Sequence, residues 1–271
     1  MNRSVNDIRI SKRQQALLAH IRTEGKGQVD LLAKSFKVTP QTIRRDLNIL
    51  CSLRLLLRVH GGALAPGGAA ESERLVNLDY HTRSLLAFEA KDAIGKLAAS
   101  IIPNDASLFI NIGTTTECVA QHLTEHLGLF VITNNINIAN TLRRNKSIKV
   151  MTAGGLVRHE DGGIVGDATE DFVNQFKVDY AIIGCSAIEA DGTLLDFDVR
   201  EVKVTQAIIN NARSAILVSD SSKFERKAPA RLGSINQVDF FITDKTPQPQ
   251  FMEACHHGDV EAIMTSSVTG N

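Results

Sequence analysis

Thr39-Pro40-Gln41-Thr42-Ile43-Arg44-Arg45-Asp46-Leu47-Asn48-Ile49-Leu50 is the stretch whose reading decides the rest of the chain. Thr39 can cap the free N–H groups of a helix, and Pro40 is tolerated at the first helical position. Ile43, Leu47 and Leu50 recur at i, i+4 and i+7 and make one apolar stripe. At roughly 100° per residue, Gln41, Arg44, Arg45 and Asn48 fall in an arc about 100° wide on the opposite side. Arginine pairs with guanine edges, and asparagine and glutamine pair with adenine edges, so the polar face carries base-reading chemistry. A solvated helix face would carry the same residues, and the surrounding sequence weighs between the two.

Upstream, Ser11 with Gln14 forms a capping box ahead of an apolar face of Leu17, Leu18 and Ile21, and Gly25-Lys26-Gly27 ends that helix. Gln28 to Phe36 reads as a second short helix, and Lys37-Val38 is a tight connection into the Thr39 helix. Two short helices joined in this way form a helix-turn-helix. Downstream, Leu55 to His60 reads as a strand broken by Gly61-Gly62, the hairpin of a winged helix. The expected DNA contacts are Thr39, Gln41, Thr42, Arg44, Arg45, Asn48, Arg58, His60 and Gly61.

Charge separates this head from the body. Residues 1–65 hold 12 Lys/Arg and 4 Asp/Glu, a net of +8, and residues 66–271 hold 18 and 26, a net of −8. A basic head on an acidic body suits a polyanion partner and argues against a single uniform enzyme domain. Cys51, Cys118, Cys185 and Cys255 are scattered without metal-ligand spacing, so reduced thiols and no metal or cofactor are expected. With no signal core and no apolar run of membrane-span length, the sequence predicts a cytoplasmic protein with no membrane association.

Ala65 to Ala70 is small and turn-rich, a linker, and Glu71 to Phe88 is a weakly patterned arm. Beyond it, candidate strands Ser107–Ile112, Phe130–Thr133, Ile148–Ala153, Tyr180–Gly184, Ala215–Val218 and Phe240–Thr243 alternate with helical stretches. That alternation predicts an α/β domain with a parallel sheet, whose ligands bind outside the carboxyl ends of the strands. At one such end Gly113-Thr114-Thr115-Thr116 leads into a helix; its N–H groups and hydroxyls suit a phosphate, although a capped turn would read the same. Other strand ends carry Asn134, Gly154-Gly155 and Lys223, and Asp198, Glu201 and Lys203 open a later helix. Convergence of such groups on one edge favours a small anionic ligand. Residues 251–271, with Cys255-His256-His257, read as a surface tail.

TPQTIRRDLN followed by LLRVHGGAL resembles the DNA-binding domain of the DeoR family of bacterial sugar-metabolism repressors. Ile49, Cys51, Ser52 and Leu53 depart from the family's acidic or small polar residues and are expected to make the back of the domain more apolar. Gln28 and Leu31 stand where the family favours a better cap and a glutamate. IGTTTE, TNNINIANTL, AGG, VDYAIIG, REVK, SDSSKF and ITD follow in the order of the DeoR-type sensor domain. The resemblance implies a winged helix-turn-helix at 10–65, a linker and arm at 66–88 and a sensor at 89–250, similar in fold to ribose-5-phosphate isomerase. It further implies a homo-oligomeric repressor released from operator DNA by a phosphorylated small molecule, with glycerol 3-phosphate the expected inducer and another sugar phosphate the alternative. The expected effector residues are Gly113, Thr114, Thr115, Thr116, Asn134, Gly154, Gly155, Glu201, Lys203 and Lys223. A phosphosugar isomerase using Asp198, Glu201 and Lys203 is the competing reading, disfavoured because an isomerase has no use for a basic winged helix.

Overall fold

The computed structural model describes residues 10–52, 55–59, 61–64, 77–78 and 80–265; Leu53, His60, the linker 65–70 and the final residues 266–271 lie outside them. The chain divides into two units, Met1–Arg83 and Ser84–Asn271.

The first unit holds helices α1 (Lys12–Glu24), α2 (Val29–Ser35) and α3 (Pro40–Ser52) and strands β1 (Lys26–Gln28), β2 (Leu57–Val59) and β3 (Gly62–Leu64). The capping box forms, with Gln14 N donating to Ser11 Oγ and Ser11 N to Gln14 Oε1. Thr39 Oγ1 accepts from Thr42 N at 3.2 Å and starts α3. The stripe Ile43, Leu47, Leu50 is fully buried against Leu17, Ile21, Leu32 and Leu56. Asp46, buried on the same helix, accepts from Arg13 Nε at 2.6 Å and Gln14 Nε2 at 3.0 Å, which ties α3 to α1.

Where the sequence predicts a hairpin the structure has a three-stranded antiparallel sheet, order β1-β3-β2. Gln28, which makes no side-chain cap, ends β1 opposite Gly62. The two wing glycines serve different needs: Gly61 turns at φ +78°, whereas a Cβ on Gly62 would lie 2.1 Å from Gly27 O. The arm carries a short helix, α4 (Tyr80–Leu85), belonging to the first unit up to Arg83.

In the second unit the chain runs α5 (Phe88–Ile101), β4 (Ser107–Ile110), α6 (Thr114–His122), β5 (Phe130–Thr133), α7 (Ile136–Leu142) and β6 (Lys149–Thr152). A hairpin of β7 (Leu156–Val157) and β8 (Ile164–Val165) follows, then α8 (Asp167–Val173), β9 (Val178–Ile183), β10 (Ala187–Ile188) and β11 (Thr193–Asp196). The remainder is α9 (Val199–Asn210), β12 (Ala212–Val218), β13 (Ala230–Ser234), β14 (Phe240–Thr243), α10 (Pro249–His257) and β15 (Glu261–Met264). Seven strands form one parallel sheet, order β15-β14-β12-β9-β4-β5-β6.

Period-two alternation sends Leu108, Ile110, Ile182 and Ile216 to one face with Ile94, Val119 and Ile138. Phe109, Ala181, Ile183 and Leu217 face the other way, with Val204, Ile208 and Phe251. Both faces are therefore covered, as a parallel sheet requires.

The last segment is a correction. In place of a surface tail, α10 buries Phe251 and Cys255, and β15 pairs in parallel with β14 to become the edge of the sheet. Phe251 packs on Phe224 and Phe241 at ring separations of 4.9 and 5.1 Å. A nine-residue helix with two buried side chains leaves too short a periodic signal to read in advance.

Candidate functional site

Two places in the chain bring together the residues singled out in the sequence, one in each unit. In the first, Gln41, Arg44, Arg45 and Asn48 are all exposed along one face of α3. Together with Arg58, Ile49, Cys51 and His81 they line a groove of about 930 Å³. Arg58 is half-buried and its Nη1 donates to Gly62 O at 2.9 Å, so part of its guanidinium holds the wing turn. Thr39 and Thr42 bond to each other, Oγ1 to Oγ1 at 2.8 Å, and act at the helix start. Gly61 is exposed at the wing tip, and His60 lies outside the described residues. Ile49 and Cys51 correct the expectation that the apolar departures sit at the back: both line the groove beside the arginines. Leu31 is 61% exposed on α2, where a glutamate would have been solvated.

The second place follows from topology. After β4 the chain builds β5 and β6 to one side and then returns to lay β9 on the other, so the sheet reverses its winding between β4 and β9. Ligands of open α/β sheets bind at such a reversal. Asn111, buried at the end of β4, spans it: Gly184 N donates to Asn111 Oδ1 at 3.1 Å, and Asn111 Nδ2 donates to Thr205 Oγ1 at 3.1 Å. Gly113 adopts φ +154° at the start of α6, a conformation open to glycine. Thr114, Thr115 and Thr116 are buried in the first turn, and the Thr116 hydroxyl is committed to Asn111 O and Gly113 O at 2.9 and 2.8 Å.

Two lysines, Lys91 and Lys223, are neighbours in this unit. Lys223 is half-buried on the short turn after β12, and burial, with Arg226 beside it, brings its ammonium down to about 8. Lys91 on α5 is 2% exposed, and its charge acts on Lys223, Asp220 and the Cys118 thiol of α6. Burial and Lys223 act in opposite senses on the Cys185 thiol, and burial wins, pushing it up to about 12. Lys91 was missed in the sequence. Its signal was there, since it occupies the apolar register of α5 with Ile94, Gly95 and Ala98.

On the other flank, Arg158 is bracketed by carboxylates. Its Nε and Nη2 pair with Asp161 at 3.0 and 2.6 Å, and its Nη1 reaches Glu201 at 2.7 Å and Asp198 at 3.3 Å. Burial and the neighbouring Asp196 raise the Glu201 carboxyl to about 8, against the pull of Arg158. Arg158 did not stand out in the sequence, because two of its partners, Asp198 and Glu201, are 40 and 43 residues away. Asn134 is 2% exposed; its Nδ2 donates to Ile164 O, while its Oδ1 is buried without a hydrogen-bond partner.

Lys203 is not brought to the site. Two residues beyond Glu201 on a helix is a turn of about 200°, and Lys203 points outward to Asp167 at 3.6 Å. Gly154 and Gly155 are exposed after β6, where Gly154 O accepts from Thr169 Oγ1. Among the described residues no group of three or more His, Cys, Asp or Glu is arranged to hold a metal ion, and no helix is long and apolar enough to cross a membrane.

Residues 13–67 match the DeoR-like helix-turn-helix domain and residues 87–245 the DeoR C terminal sensor domain. The chain belongs to the DeoR family. It is 43% identical to the glycerol-3-phosphate regulon repressor of Escherichia coli, over 93% of this chain and 98% of that protein. It is 45% identical to the glycerol-3-phosphate regulon repressor of Haemophilus influenzae, over 88% of this chain and 91% of that one. The HTH-type transcriptional repressor CsqR of Escherichia coli is 35% identical over 96% and 98% of the two chains. The chain is thus a DNA-binding transcriptional repressor, and the isomerase reading falls. Ribose 5-phosphate isomerase A of Neisseria gonorrhoeae overlaps 51% of this chain and 53% of its own, at 12% identity and a TM-score of 0.37.

Proposed function

We propose that this DeoR-family repressor is released from its operator by glycerol 3-phosphate, bound at the β4–β9 reversal. The observation that carries the proposal is the start of α6 at that reversal, Gly113 at φ +154° followed by three buried threonines, with Lys223 on the turn after β12, the strand next to β9. The helix start offers its N–H groups and the positive end of its dipole, and Lys223 supplies a cation from the turn after β12. A phosphate dianion matches that field. The orphaned Asn134 Oδ1 accepts a hydrogen bond, which suits a ligand hydroxyl. Names of the relatives supply glycerol 3-phosphate within the class of small polyol phosphates.

In the head, Arg44 and Arg45 are about 100° apart on α3, so one reads a base edge and the other a phosphate. Alanine at the base reader costs ~1–3 kcal/mol and relaxes specificity; alanine at the phosphate reader weakens every sequence and flattens the salt slope by roughly one unit. A single winged helix contacts few bases, so the repressor acts as at least a dimer on half-sites about one helical turn apart or a multiple. The deciding experiment titrates glycerol 3-phosphate, ribose 5-phosphate and inorganic phosphate into the operator complex while following anisotropy. Release by glycerol 3-phosphate at the lowest concentration supports the proposal, and equal release by all three removes the polyol assignment. Sedimentation of a monomer at working concentration would remove the dimer.

A further inference from the structure

The arm between the two matched domains carries a side chain into the groove along α3. His81 lies outside both 13–67 and 87–245, so neither family domain assigns it. It is exposed, and it lines the groove together with Arg44, Arg45 and Arg58. Among the described residues no acidic side chain lines that groove.

His81 is held there by its neighbours. Thr82 and Leu78 are buried, and the Thr82 hydroxyl donates to Arg58 O at 3.4 Å, so α4 is fastened to the wing strand β2. With the following residue anchored on the wing, His81 lines the groove together with Arg58 and the polar face of α3.

We propose that His81 binds a phosphate of the DNA backbone, making α4 part of the DNA-binding surface. This rests on the reading of α3 as the recognition helix. The major groove, about 12 Å wide, admits one helix. Side chains rising beside that helix therefore meet the phosphates bordering the groove rather than base edges. An imidazole N–H donates to phosphate oxygen, and Arg44, Arg45 and Arg58 give the groove the charge that a polyanion seeks. An acidic protein segment would answer the same charge without regard to duplex geometry, and the test separates it.

The test uses the full-length protein and follows operator and random-duplex anisotropy between about 50 and 200 mM salt. His81→Glu should weaken both duplexes by roughly tenfold or more and flatten the salt slope by about one unit, as expected for a lost phosphate contact. His81→Lys should bind at least as tightly as wild type with a salt slope as steep or steeper, a rescue that a packing role would not give. Arg44→Ala and Arg45→Ala are run alongside. If they weaken binding while His81→Glu binds like wild type, the arm is a spacer and this inference fails alone. If neither arginine variant changes binding, the reading of α3 fails first. Lysine behaving like glutamate would show that His81 supports α4 by packing, and binding of polyglutamate as tightly as duplex DNA would assign the groove to a protein. Either result overturns the proposal.

Discussion

Lys223→Met tests the anion site at its most sensitive point. The substitution keeps an apolar stem of similar length and removes the charge. Lys223 is half-buried, and burial together with Arg226 and Lys91 holds its ammonium at about 8, with Asp220 pulling the other way. A hydrogen bond to a charged group contributes about 1.5–3 kcal/mol, which corresponds to roughly tenfold to a hundredfold in affinity. The glycerol 3-phosphate concentration for half-release should rise by that factor, while operator affinity without effector stays unchanged. The pH dependence carries a sign. Only the protonated amine attracts the phosphate, so wild-type effector affinity holds below pH 8. Above it, affinity falls by up to about tenfold per unit until the higher pKa of the bound state is passed. The methionine variant should be flat there. Calorimetric titration of glycerol 3-phosphate from about pH 6.5 to 9.5, paired with operator anisotropy, reads both effects. Lys203→Met, at an exposed position paired with Asp167, is the control and should match wild type. A Lys223→Met protein with wild-type effector affinity and a wild-type pH profile would refute the placement of the phosphate.

Three further outcomes follow from the same geometry. Gly113→Asp puts a carboxylate at the anion site, a Cβ 3.2 Å from Thr116 Oγ1, and a side chain at φ +154°. It should lower sensor stability by ~1–3 kcal/mol, keep operator affinity and abolish release, whereas Gly113→Ala should share only the stability loss; a folded aspartate variant released at the wild-type concentration would place the site elsewhere. Glu201, raised from 4.5 to about 8, holds in the folded state a proton that the unfolded chain has already lost. Sensor stability therefore falls as pH rises through that window, and Glu201→Gln should flatten the slope in urea melts; parallel slopes for the two proteins would contradict it. Phe251→Ala removes a ring packed on Phe224 and Phe241 and should cost about 3–5 kcal/mol in chemical denaturation, while a loss under ~0.5 kcal/mol would return this segment to the surface.

Local periodicity carried the head and the frame of the sensor. The stripe Ile43, Leu47, Leu50 and its opposing polar face were legible because 3.6-residue geometry is a property of the helix itself. The capping box at Ser11 and the strands Phe130–Thr133 and Phe240–Thr243 were legible for the same reason, since their rules operate within a few residues. Strand-helix alternation likewise implied a parallel sheet, and the Gly113 turn stood out at a strand end.

The order of the strands is another matter. Sequence alone determined that a glycine-threonine turn opens a helix; only the tertiary structure decided that β4 and β9 are neighbours and that the turn lies at the reversal. The same holds for the side chains around it. Lys91 of α5 comes close to Lys223, far along the chain after β12, and Arg158 meets Glu201 across 43 residues of chain. Lys203, two residues from Glu201, is turned away from it. Spacing along a helix sets which face a residue takes, but which face meets the site depends on how the helix docks on the sheet. That docking is selected by the burial of both faces of the sheet at once, a condition no local stretch of residues contains.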